Sequence, residues 1–113
     1  MSRAFVNAHC ARLPGAEVSD PWGGGHDAWK VGGKLFALVG ASEDHGVSVK
    51  CADVENAGLL IEMGRAERAP YLHPSWVRIP WGRVPDAELA ERLDTSYRLI
   101  RERLPKRVQA TLG

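Results

Sequence analysis

The clearest apolar pattern in the chain lies near its C-terminal end and predicts a long helix. Pro85 opens it, since proline suits the first helical turn, and Asp86 and Glu88 favour the positive end of the helix dipole. The apolar positions that follow recur at steps of four, four, three and four and form one stripe: Leu89, Leu93, Tyr97, Ile100 and Leu104. A stripe of this kind packs against a sheet. Pro105 is expected to end the helix.

Two shorter helices are predicted from capping residues. Ser2 is placed to cap a first helix that runs to about residue 12, before Leu13-Pro14-Gly15 stops it. Asp53 is placed to cap a second helix through about Met63, with Gly64 after its end. This second helix is expected to turn three side chains toward the core: Leu59, Leu60 and Met63.

A β-hairpin is the strongest strand signal. Residues 26–31 and 34–39 flank Gly32-Gly33, and glycine at both positions accepts the positive φ angles of a two-residue turn. After a polar loop at residues 40–46, residues 47–51 alternate between apolar and polar and predict a strand with one buried face. We also expect a short edge strand at residues 17–22, an extended segment at 69–74 and a last strand at 76–79.

The order of these elements predicts an α+β two-layer sandwich. A helix, about three strands, a helix, about two strands and a helix give an antiparallel sheet of about five strands, with the helices on one face. The 113 residues contain no internal repeat or long linker, so we expect one domain over residues 1–113.

Composition excludes several classes of protein. With 44% hydrophobic residues and a net charge of +1, the chain is not expected to be disordered. It has no apolar run long enough to span a membrane and no signal-peptide pattern at its start, so we expect a cytoplasmic protein that does not contact membranes. The charge is uneven: residues 1–64 carry five basic and eight acidic residues, whereas residues 65–113 carry ten and six.

No metal site or cofactor is expected. Cys10 and Cys51 are far apart, and a cytoplasmic location favours buried reduced thiols, although a disulfide between them stays open. The four histidines are scattered, and neither a His-x-x-x-His nor a Cys-x-x-Cys pattern occurs.

Several segments together resemble the MmcQ/YjbR family. The hairpin sequence HDAWKVGGKLFA at residues 26–37, a following strand that ends in Lys50, and Pro70-Tyr71, Trp76-Val77 and Ser96-Tyr97 carry the likeness. It extends over about residues 13–104. The resemblance implies a fold described as CyaY-like or secretion-chaperone-like, and members of this family are commonly labelled DNA-binding.

Strand alternation suggests where a nucleic acid would bind. Lys30, Lys50 and Arg78 each point away from apolar neighbours on their strands, Trp76 shares the side of Arg78, and Lys34 lies beside the turn. If the strands are in phase, these residues form one exposed patch for phosphates and base stacking. We therefore expect a non-catalytic DNA-binding protein, a monomer or weak homo-oligomer, whose binding is electrostatic and weakly sequence-selective.

Two other interpretations stay open. The same cations are ordinary solubilising residues if Trp76 packs into the core, and a register slip of one residue would turn every side chain over. Alternatively, a sheet edge rich in tryptophan, with Trp22, Trp76 and Trp81, would make the protein an interaction module that binds a protein and no nucleic acid. No motif places a base beside a nucleophile, so we expect no enzyme.

The last helix is not expected to read DNA. Its acids precede its bases by four residues, which predicts three ion pairs along a solvated surface: Glu88–Arg92, Asp94–Arg98 and Glu102–Lys106.

Overall fold

The computed structural model describes residues 2–41 and 45–113. This part of the chain forms six strands and four helices. In chain order they are α1 (Arg3–Cys10), β1 (Ala16–Ser19), β2 (Asp27–Val31), β3 (Lys34–Val39), β4 (Gly46–Lys50), α2 (Val54–Glu62), β5 (Glu67–Arg68), β6 (Trp76–Pro80), α3 (Asp86–Arg101) and α4 (Lys106–Gln109). The predicted α+β class is confirmed.

The strands form one open antiparallel sheet in the order β1-β2-β3-β4-β6-β5. The sheet has six strands where about five were predicted, because β5 adds a two-residue edge. At the other edge, β1 ends at Ser19, before the predicted residue 22. The Asp20 carboxylate accepts hydrogen bonds from the backbone N–H groups of Gly25 and His26 at 2.7 and 3.2 Å, which turns the chain there.

The predicted apolar stripe packs onto the sheet, with four of its residues in α3 and Leu104 just after the helix. All five are buried, and the Tyr97 ring meets Phe36 of β3 edge-on, with the ring centroids 5.4 Å apart. Helices α1 and α2 add Val6, Cys10, Ala57 and Leu60 to the same hydrophobic cluster. The two cysteines are buried free thiols, as predicted. In the described residues no helix is both long and apolar enough to cross a bilayer.

Helix α2 differs from the prediction on its apolar side. The Asp53 carboxylate caps it by accepting a hydrogen bond from the Asn56 backbone N–H at 2.8 Å, as expected. Leu59 and Met63, however, are 53% and 56% exposed, so their predicted burial is wrong. The helix lies against the β6–β5 edge of the sheet, which leaves room for only a narrow buried stripe.

The hairpin between β2 and β3 forms with the predicted two-residue turn. Gly32 and Gly33 adopt φ angles of +57° and +79°, and Val31 pairs with Lys34. One residue further on, the register shifts, so that Lys30 pairs with Leu35 while Trp29 pairs with Ala37. Phe36 is the additional residue in β3 and is fully buried, which marks a β-bulge.

The segment that joins β5 to β6 lies over part of the sheet surface facing away from the core. Residues 69–74 were predicted to be extended, but the strand forms just before them, at Glu67–Arg68. Tyr71 has a φ of +64°, which turns the chain, and Pro70 and Tyr71 border a cavity of about 270 Å³ with Leu38, Ser48 and Arg78 of the sheet. The predicted loop at residues 40–46 includes 42–44, which lie outside the described residues.

Candidate functional site

The sheet register places four of the five predicted site residues on the face away from the core. Lys50 pairs with Trp76, and Arg78 pairs with Ser48, across the β4–β6 ladder. The core-facing pairs of the same ladder are Val47 with Ile79 and Val49 with Val77. On β2, Lys30 lies between Trp29 and Val31, both of which belong to the core cluster. Lys34 lies at the hairpin turn, outside this alternation.

This outer face is not the open patch that the alternation predicted. Trp76 is only 9% exposed, and Lys50 is only 8% exposed. The β5–β6 connection covers this part of the sheet, since the Lys50 ammonium donates a hydrogen bond to Ser75 in it at 2.8 Å. The buried indole of Trp76 therefore cannot serve as a stacking platform for bases.

Arg78 is already paired with a carboxylate. Its Nε and Nη2 atoms both donate to the Glu67 Oε1 atom, at 2.8 and 2.5 Å. Glu67 is on β5, directly opposite Arg78 in the ladder, and the two side chains share one face of the sheet. The guanidinium charge is thus neutralised locally, and Arg78 is not a free phosphate ligand.

The Lys50 ammonium has an unusual environment for a cation. Its hydrogen-bond acceptor is the Ser75 hydroxyl, and no carboxylate among the described residues lies within ion-pair distance of it. Burial lowers the pKa of Lys50, and the nearby positive charge of Arg103 lowers it further. Lys50 is therefore a buried cation with no described carboxylate in ion-pair range, and it is not part of an open surface.

The fold brings the hairpin turn against the C-terminal end of α3. A Cβ atom built at Gly32 would lie 2.5 Å from Leu104 Cδ1, and Lys30, Gly32 and Gly33 border one cavity with Val108 and Leu112. Cations occur on both sides of this contact, and all of them are exposed except Lys30, which is half-buried. We call the resulting surface the basic end; it consists of Lys30, Lys34, Arg103, Lys106 and Arg107.

The cations of the basic end lack ion-pair partners in the part of the chain that the structure describes. No Asp or Glu oxygen lies within 4.0 Å of them, although Glu17 is the cross-strand neighbour of half-buried Lys30. Elsewhere, several cations are paired: Arg3 with Asp27, Arg65 with Glu88, and Arg98 with Glu102.

Sequence reasoning missed Arg103, Lys106 and Arg107 because it continued the ion pairs of α3 through the end of the helix. The structure ends α3 at Arg101, and Pro105 starts a new short helix, so Glu102 and Lys106 are not on one helical face. Glu102 instead pairs with Arg98 at 3.7 Å. The other two predicted pairs are also wrong, because Glu88 pairs with Arg65 and Asp94 with His9.

Comparison with known proteins identifies the family. The family model YjbR matches residues 11–99, which is well over half of the chain. The chain belongs to the YjbR family. This YjbR match includes the hairpin, the Trp76 strand and Ser96-Tyr97, and it ends before Arg103, Lys106 and Arg107.

A solved structure supports the fold of this YjbR protein. The crystal structure of the Deinococcus radiodurans protein DR2400, which has a DUF419 domain, is similar with a TM-score of 0.84 and 24% sequence identity. The similarity covers 96% of this chain and 85% of that chain, and at this identity it shows the fold alone. No curated protein matches the sequence.

The four tryptophans of the YjbR protein do not form the predicted edge patch. Trp29 and Trp76 are buried, and Trp81 is partly buried against the core. Trp22 alone among them is largely exposed, at 61%, with its ring 5.1 Å from that of His26. The tryptophans therefore do not form the shared exposed surface that a tryptophan-based protein interface would need.

Proposed function

We propose that this YjbR-family protein is a non-catalytic nucleic-acid-binding protein that holds phosphates at its basic end. The observation that supports the proposal most is the contact of Gly32 with Leu104, which joins the cations of the hairpin to those that follow α3. Cations without carboxylate partners are the groups that replace condensed counterions on a nucleic-acid backbone. The proposal places the protein in the cytoplasm, with DNA as its partner.

The chemistry of the basic end favours weak sequence selectivity. Lysine and arginine side chains on a turn and on a four-residue helix can contact phosphates, which fix position but carry no sequence information. Helix α4 is too short to lie along a major groove as a recognition helix does. The predicted patch on the outer sheet face contributes only Lys30 and Lys34 to this surface.

Fluorescence anisotropy with labelled duplex and single-stranded DNA at low salt tests the proposal. The variant Lys34→Glu/Lys106→Glu reverses two charges of the basic end and should weaken binding strongly. Arg68→Glu/Arg83→Glu changes the net charge equally, but Arg68 is on β5, at the far edge of the sheet, and Arg83 precedes α3. This control should bind almost as well as the unaltered protein.

Two results would overturn the proposal. One is the absence of any anisotropy change with duplex DNA, single-stranded DNA and RNA at low salt. The other is an equal loss of affinity in both charge-reversed variants, which would mean that net charge alone drives binding. Copurification of one stoichiometric protein partner, without nucleic acid, would favour a protein-interaction module instead.

A further inference from the structure

A further cavity lies where β4 ends, α2 begins and α3 ends. Its volume is about 450 Å³. Polar and charged side chains from four parts of the chain meet there, beside the apolar walls of Trp76 and Ile100. The polar lining consists of Lys50, Asp53, His73, Ser75 and Arg103.

The Lys50 ammonium enters this cavity with hydrogen-bonding capacity to spare. An ammonium has three N–H donors, and the Ser75 hydroxyl accepts one of them at 2.8 Å. Among the described residues, no carboxylate is in ion-pair range of Lys50, whose exposed fraction is only 8%. A buried charge without a counter-charge is costly, so an anion at the two remaining donors would stabilise the site.

Ser75 and His73 fix the position of this ammonium. The Ser75 backbone N–H donates to His73 Nδ1 at 3.1 Å, so that Nδ1 is an acceptor and the ring proton of the neutral imidazole is on Nε2. The Ser75 hydroxyl, 2.9 Å from the same Nδ1, therefore donates to it and accepts from Lys50. Ser75 is itself only 2% exposed, so the geometry is held by packing.

Arg103 adds a second positive charge to the cavity. Its proximity contributes to the lowered pKa of Lys50, as expected for two like charges. Asp53 is the acid in the lining, but its Oδ1 atom accepts from both the backbone and the side-chain nitrogen of Asn56, at 2.8 and 2.9 Å. This oxygen is thus already used in capping α2. The cavity lining has two basic side chains, Lys50 and Arg103, and one acidic side chain, Asp53.

We propose that this cavity is an anion site for inorganic phosphate or a phosphomonoester, held between the Lys50 ammonium and the Arg103 guanidinium. A phosphomonoester carries about 1.5 to 2 negative charges at neutral pH, which matches two cations better than a carboxylate does. His73 also lines this cavity. The cavity shares Arg103 with the basic end, but Lys50 is not part of that surface, so variants at Lys50 test the cavity alone.

Isothermal titration calorimetry on the full chain tests the site, with inorganic phosphate, adenosine 5′-monophosphate and acetate as separate ligands. Lys50→Met should weaken phosphate binding by roughly tenfold or more, because hydrogen bonds to charged groups are the strong ones. Arg103→Gln should weaken it as well. Arg68→Gln, which removes an exposed positive charge on β5 outside both the cavity and the basic end, should leave the affinity unaltered.

The unaltered protein provides a readout that does not depend on how the variants fold. NMR of the lysine ε-methylene groups should show the pKa of Lys50 rising when phosphate is added, because an anion favours the charged form. Equal affinities for phosphate and adenosine 5′-monophosphate would mean that the site recognises the phosphate group alone. A higher affinity for adenosine 5′-monophosphate would mean that it also recognises the nucleoside.

Three results would overturn the inference: no heat with either phosphate ligand, unchanged phosphate affinity in Lys50→Met, or acetate binding as tightly as phosphate. These outcomes are distinct from failure of the proposed function. Lys106→Gln should weaken DNA binding and leave phosphate binding intact, while Lys50→Met should do the reverse.

Discussion

At the scale of single residues, one buried hydroxyl, that of Ser96, joins two strands where their own pairing stops. The β3–β4 pairs end at Ala37 and Val49, next to the bulge residue Phe36 and to Lys50. The Ser96 hydroxyl donates to the Phe36 carbonyl oxygen at 2.6 Å and accepts from the Lys50 backbone N–H at 2.9 Å. Ser96 is fully buried, so these backbone groups have no access to water if the hydroxyl is removed.

Ser96→Ala should therefore destabilise the protein by about 1–3 kcal/mol, the cost of leaving buried polar groups unpaired. Urea denaturation followed by tryptophan fluorescence measures this. Thr95→Ala is the matched control on the preceding position of α3, where no side-chain hydrogen bond holds the sheet. Equal losses in the two variants would show that Ser96 has no special role at the bulge.

Lys50 gives the stability of the protein a predictable pH dependence. Since burial lowers its pKa, the folded protein binds fewer protons than the unfolded chain between that lowered pKa and the ordinary value of 10.5. The free energy of unfolding should therefore rise with pH across this interval, and the cost of burying the ammonium should be present in full below it.

Chemical denaturation in phosphate-free buffer from neutral to alkaline pH checks this expectation. Lys50→Met should lack the rise and should be at least as stable as the unaltered protein at neutral pH, because a buried charge is replaced by an apolar chain of similar length. Lys34→Met serves as the exposed control and should keep the rise. A parallel pH profile in Lys50→Met would contradict the assignment to Lys50.

At the scale of elements, the β2–β3 turn and the end of α3 form one unit. Gly32 and Gly33 both have positive φ angles, but only Gly32 packs closely against Leu104. A Cβ atom at Gly32 would lie 2.5 Å from Leu104, whereas a Cβ atom at Gly33 would have no described atom within 4 Å. The backbone of the turn therefore favours glycine at both positions. At Gly32 there is a second reason, because a side chain would collide with Leu104. The same contact builds the basic end.

Alanine substitutions separate these two requirements. Gly33→Ala should cost about 1–2 kcal/mol through backbone strain alone. Gly32→Ala should cost about 1–3 kcal/mol more, because it also overpacks against Leu104. Thermal or urea unfolding measures both, and adding Leu104→Ala to Gly32→Ala should give a loss smaller than the sum. Strict additivity would mean that the close contact is not present in solution.

At the scale of the whole molecule, charge is distributed by the folding of distant segments onto one another. The first 64 residues are acidic overall and the remainder basic, yet the basic end takes cations from both parts. Pairing of Arg78, Arg65 and Arg98 with acids leaves the region around the hairpin turn with cations that have no such partner among the described residues.

Salt dependence measures how many of these cations contact phosphates. If four or five do so on duplex DNA, log K should fall against log salt with a slope of about −3.5 to −4.5. Lys34→Gln should reduce the steepness by about one. Arg68→Gln, at the opposite edge of the sheet, should leave the slope as it is. A slope near zero would exclude an electrostatic interface.

The amino-acid order alone determined the elements and their class. Gly32-Gly33 specifies a two-residue turn, Asp53 a helix cap and the stripe on α3 a buried face, because these effects depend on neighbours three or four positions away. The sequence left the phase of the outer face open, because a slip of one residue would turn every side chain over. The β4–β6 register decided it, since it places Lys50, Trp76 and Arg78 opposite to core residues on their strands.

Only the tertiary structure decided which of these side chains are exposed and unpaired, and so able to bind a ligand. Burial of Trp76 depends on the β5–β6 connection, pairing of Arg78 depends on β5, and the basic end depends on Leu104 meeting Gly32. Each is a contact between segments distant in sequence or joined by an irregular loop. Solvent exposure and ion pairing are set by such contacts, and periodicity along the chain carries no information about them.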